Sequence, residues 1–108
     1  MLSLDGKKIA FVESAGTSSI FHVLKWATGP GNGTSPTVSA VPGVGNTATM
    51  TSLTYAAANT NTRSSPWIDY AQDVAYVGAD NRRLYKITGV FNGTPTLAML
   101  TAGSPVQC

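Results

Sequence analysis

A chain of 108 residues, 43% of them hydrophobic, can close one modest core and is too apolar to be disordered throughout. Only 11% of residues are charged and the net charge is +2, with the basic residues dispersed apart from Lys7-Lys8 and Arg82-Arg83; this excludes a nucleic-acid interface, which needs a stripe that neutralises several phosphates. The single cysteine, Cys108, excludes an internal disulfide and a multi-cysteine metal site, and no apolar run approaches the roughly 20 residues of a membrane-spanning helix.

In chain order, the start does not read as a signal peptide, because its charges follow its apolar residues and no apolar stretch comes after them. Asp5-Gly6 reads as a turn. Strands are predicted near 8–13 and 19–26, where Ile9, Phe11, Val12, Ile20, Phe21, Val23 and Trp26 cluster between Gly and Ser/Thr breakers. Thr28 to Pro36 is a long breaker run, and a weaker strand follows at 37–41, closed by Pro42-Gly43. Thr47 to Tyr55 is rich in Thr and carries Met50, Leu53 and Tyr55, which predicts a strand near 48–55. Ala56 to Asn61 reads as loop.

The second half is punctuated more sharply. Strands are predicted near 66–70, 74–78, 84–89 and 96–101, separated by Tyr70-Ala71-Gln72, by Ala79 to Arg83 and by Asn92-Gly93-Thr94-Pro95. No segment sustains a period of 3.6, so helix content is expected near zero. The fold class is all-β with antiparallel sheets, in one module spanning 1–108.

The chain also repeats itself. Lys8-Ile9-Ala10-Phe11-Val12 matches Asp73-Val74-Ala75-Tyr76-Val77. Ile20-Phe21-His22-Val23 matches Leu84-Tyr85-Lys86-Ile87. Asn32-Gly33-Thr34 and Pro36-Thr37-Val38 match Asn92-Gly93-Thr94 and Pro95-Thr96-Leu97. The units run over about 1–43 and 64–105, joined by a Thr/Asn-rich segment 44–63. The alignment makes Phe11 equivalent to Tyr76 and Phe21 to Tyr85. Phe11, Phe21, Trp26, Trp67, Tyr76 and Tyr85 are expected to be packing positions, because aromatics dominate β cores.

Ser64-Ser65-Pro66-Trp67-Ile68-Asp69-Tyr70, Val74-Ala75-Tyr76-Val77-Gly78 and Leu84-Tyr85-Lys86-Ile87 resemble the blades of secreted bacterial β-propeller repeats of the PQQ-like and YVTN type. Leu4 to Val12 is similar to the turn and second strand of such a blade. The resemblance implies two blade-like units, a scaffold or interaction role, and an extracellular or cell-surface location. It carries no chemistry. A closed propeller needs about four to eight blades, and two leave apolar faces without neighbours. The expectations are therefore a blade fragment of a longer exported protein, copies that self-associate into a ring or fibre, or two units closed on each other as a small β-sandwich. A scaffold portion of a larger propeller enzyme is the remaining alternative.

Candidate chemistry is sparse. His22 is the one histidine, and its repeat counterpart Lys86 places it on an exposed strand face. Gly31-Asn32-Gly33 and Gly43-Val44-Gly45 lack the third glycine and following helix of a nucleotide loop. Asp69 and Asp73 flank a turn, where aspartate is ordinary. The Asn-Gly-Thr runs at Asn32 and Asn92 are explained as turn chemistry without a glycan. Neither catalytic residues nor a cofactor or metal site is expected. The partners expected are neighbouring blades or further copies of the chain.

Overall fold

A computed structural model describes residues 1–25, 50–57 and 60–98. Within them are seven strands: β1 (Lys8–Ser14), β2 (Ser19–Lys25), β3 (Met50–Ala56), β4 (Trp67–Asp69), β5 (Val74–Ala79), β6 (Arg83–Thr88) and β7 (Thr96–Ala98). There is no helix among the described residues, as the β-branched and aromatic runs predict. The strands fall at the predicted places with ends shifted by a residue or two. The predicted strand at 37–41, residues 99–101 of the last one, Trp26 and Cys108 lie outside the described residues.

The strands form two antiparallel sheets, β1-β2-β3 and β4-β5-β6-β7. Leu2 bridges to Ile9 and gives the first sheet a partial fourth member beside β1. The strands follow chain order in both sheets, and a tight turn leads into β1 in the first sheet and into β5 in the second. Asp5 organises the first turn. Its carboxylate accepts from the Ser3 hydroxyl at 2.6 Å and from the Lys7 amide at 3.0 Å, bonds that hold it below the usual carboxylate value. Asp69 does the same work in the second, accepting from the Ala71 and Gln72 amides.

Alternation along the strands separates two faces in each sheet. One face of each is buried in a common core: Ala10, Phe21, Val23 and Tyr55 from the first sheet, Ile68, Ala75, Val77 and Ile87 from the second. Each large apolar side chain taken fully out of water there is worth about 1.5–3 kcal/mol. Tyr55 of β3 meets Tyr85 of β6 edge-on, with centroids 5.2 Å apart. Burial pushes the Tyr55 hydroxyl above the usual tyrosine value.

Hydrogen bonds between the units close both ends of the core. At one end Gly78 O accepts from the Thr62 hydroxyl at 2.7 Å and from Tyr55 at 3.3 Å, while the Thr62 amide donates to Ser14. At the other end the Tyr70 hydroxyl donates to Leu2 O at 2.7 Å, and the Lys8 ammonium donates to Phe91 O. Tyr70 and Phe91 stack there at 6.2 Å. Asp73, in the left-handed region at φ 56, aims its carboxylate into the next loop, where it accepts from the Phe91 and Asn92 amides at 2.8 and 2.9 Å.

The pairing shows how the two sheets face each other. Ala10 exchanges backbone bonds with Met1, so its amide points to the N-terminal neighbour of β1. Asp73 O accepts from the Val90 amide, on the β6 side. The Val74 amide shares that peptide plane and points the opposite way, toward β4, so the Ala75 amide points to β6. In strands of L-residues with the same course, the side taken by the backbone groups fixes the face taken by the side chain. Ala10 and Ala75 therefore stand on opposite local faces of their sheets. Both are nonetheless fully buried in one core. The sheets are stacked head to tail, the front of one on the back of the other.

This corrects the repeat alignment. The structural correspondence places Ser3 on Asp69 and Lys8 on Val74, the residues that close the two four-residue turns. It is one residue away from the alignment that pairs Ala10 with Ala75, and a one-residue slip reverses every side chain. Phe11 and Tyr76 are thus not equivalent in the fold, and neither are Phe21 and Tyr85. Hydrophobic identity aligned the segments, while the turn closures set their true register.

Candidate functional site: two open sheet faces

One face of each sheet enters the core; on the opposite faces, among the described residues, Trp67, Ile9, Glu13 and Ser52 are exposed while Val74, Met50 and His22 are buried. On the four-stranded sheet, the open face carries a cross-strand row of Trp67, Tyr76, Lys86 and Ala98. Trp67 and Tyr76 lie tilted at 36° with centroids 5.8 Å apart, the spacing of a favourable aromatic pair. Trp67 is 60% exposed. An exposed tryptophan on a sheet face is unusual, since it is among the residues with most to gain from burial.

On the three-stranded sheet, the corresponding row is Phe11, His22 and Ser52. His22 is only 2% exposed although it points away from the core. The Phe11 ring stacks on it at 5.0 Å and 29°. Both ring nitrogens are partnered: Nε2 with Glu13 Oε2 at 2.7 Å and Nδ1 with Ser52 Oγ at 2.8 Å. The carboxylate can only accept, so the network assigns the proton of a neutral imidazole to Nε2, and Nδ1 accepts from the serine hydroxyl. Glu13 and Ser52 reach solvent.

The expectation of an exposed His22 is overturned. Its strand face is the open one, but a stacked aromatic and two polar partners enclose the ring. Serine, imidazole and carboxylate in hydrogen-bond succession are the elements of an activated nucleophile. Here each of β1, β2 and β3 supplies one of them, and the bonds also tie the three strands together across the face. Sequence reading missed this group because Glu13, His22 and Ser52 are far apart in the chain. Only the register of β2 against both neighbours unites them.

The six aromatic positions singled out from the sequence divide between core and surface. Phe21 is fully buried in the core and Tyr85 is half-buried at its margin. Phe11 and Tyr76 are half-buried on the two open faces, Trp67 is exposed, and Trp26 lies outside the described residues. Among the described residues Trp67 takes no part in the core. Other large exposed apolar side chains among the described residues are Met1, Leu2, Leu4, Ile9 and Leu97. Among the described residues there is no group of three or more His, Cys, Asp or Glu that could hold a metal, and no helix long and apolar enough to cross a membrane.

No protein-family model matches this sequence, and neither do curated proteins or solved structures.

Proposed function

We propose that the chain is a structural and interaction module built of propeller-blade-type units, working through its sheet faces. One observation carries the reading: the two sheets share a core while presenting opposite local faces to each other. A head-to-tail stack of like units can be continued at either end, because each end keeps the face that its neighbour used. Blades around a propeller axis are related in this way. Two sheets closed on each other through equivalent faces would have no such continuation. The low charge and the polar surface of Ser, Thr and Asn, together with the resemblance to secreted bacterial repeats, support a place on an exported protein.

The test is a tandem of two copies of the full chain on one polypeptide. Stacked repeats gain stability from each added interface, so the tandem is expected to unfold at higher urea and with a steeper transition than the single chain. A tandem whose units unfold at the single-chain midpoint would overturn the reading.

A further inference from the structure

We infer that the open face of β4–β7 in one copy docks on the open face of β1–β3 in a second copy, so that chains associate head to tail. The inference rests on the blade reading above and names the partner and both contact faces.

The internal interface is the template. In the turn-based correspondence, Tyr76 stands where Ala10 does and Lys86 where Val23 does. The open face of β4–β7 is therefore the counterpart of the face by which β1–β3 enters the core. By the same correspondence Ile9, Phe11 and Leu24 stand where Ala75, Val77 and Ile87 do. The open face of β1–β3 is the counterpart of the face it meets. The two faces left outside the core by the described residues thus repeat, in sense and placement, the pair already joined inside the chain. An interface of this kind is heterologous and leads to a ring or an open filament.

The side chains fit that pairing. Trp67 at 60% exposure and Ile9 at 41% offer apolar surface on the two faces. Tryptophan is the residue type most enriched among those that dominate binding energy. Lys86 lies beside Tyr76 on one face, and the partly exposed Glu13 carboxylate lies on the other. This charge complementarity favours unlike faces over like ones.

Sedimentation velocity on wild type, Trp67→Glu and Ile9→Glu, alone and mixed, tests this. Both substituted positions are exposed, and unchanged urea midpoints verify that the variants fold. Wild type is expected to rise above the 11.2 kDa monomer mass as concentration climbs from micromolar toward millimolar. Each variant blocks one face, so each is expected to associate at least about tenfold more weakly with itself. Their mixture retains one compatible pair of faces. It is expected to form a one-to-one dimer and nothing larger.

A wild type that stays monomeric throughout overturns the inference. So does an Ile9→Glu chain that assembles alone, which would mean that Trp67 faces meet each other, and so does a mixture that stays monomeric. Failure here is distinct from failure of the blade reading. A stabilised tandem together with a monomeric wild type removes only the docking between copies.

Discussion

Gly89→Ala tests whether the loop after β6 is as tightly closed as the geometry requires. Gly89 sits at φ +67, where an L side chain is strained, and a Cβ added there would lie 2.7 Å from Thr94 O. Gly6 is the built-in control: its φ is +68, but nothing lies within 4 Å of an added Cβ. At both positions the left-handed backbone costs alanine about 1–2 kcal/mol, and the stiffer unfolded chain returns roughly 0.4–1 kcal/mol of that. Gly6→Ala should therefore lose no more than about 1.5 kcal/mol.

Gly89→Ala adds a collision with a backbone carbonyl, which cannot rotate away as a side chain could. Overpacking of this kind costs about 1–3 kcal/mol more, giving a total of about 1–4.5 kcal/mol. Against a stability of about 5–15 kcal/mol for a domain, the difference is easily resolved. Urea unfolding followed by circular dichroism measures it as a lower midpoint with an unchanged slope. Equal losses in the two variants would refute the reasoning, since the close approach to Thr94 would then have no energetic consequence.

Two further outcomes follow from particular contacts. Asp73→Asn keeps a residue that tolerates the left-handed region but turns one of the two accepting oxygens into a donor facing an amide. It should cost about 1.5–3 kcal/mol and speed hydrogen exchange at Phe91 and Asn92, with little change at Ala71 and Gln72. Tyr55 holds its proton above its ordinary value of 10.0, chiefly through burial. The unfolded chain therefore ionises first, so the contribution of Tyr55 is fully present below that value and is lost as pH rises through the folded-state value. Tyr55→Phe should flatten the alkaline fall in stability, read from urea midpoints across the tyrosine range; an unchanged fall would remove Tyr55 as its source.

The strand positions were legible because the information is local. β-branched and aromatic runs such as Ile9-Ala10-Phe11-Val12 and Leu84-Tyr85-Lys86-Ile87, bounded by Gly, Asn and Asp, favour a pleated half-buried backbone wherever they sit in space. The same runs could not say which of their alternating faces enters the core. A strand with apolar residues on both faces, as in Ile9, Ala10, Phe11 and Val12, carries no period-2 bias to decide it.

That choice belonged to the tertiary structure. The four-residue turns closed by Ser3–Lys8 and Asp69–Val74 set the backbone phase, and the phase put Ala10 and Ala75 on opposite local faces. Only then did Phe11 and Trp67 fall outside the core, and only the pairing of β2 with both neighbours brought Glu13, His22 and Ser52 together. Local residue pattern was enough to specify an all-β chain of short strands and turns, because propensity and turn chemistry act over a few residues. The facing of the sheets, the open surfaces and the enclosed histidine were decided by register, which depends on hydrogen bonds between segments distant in the chain.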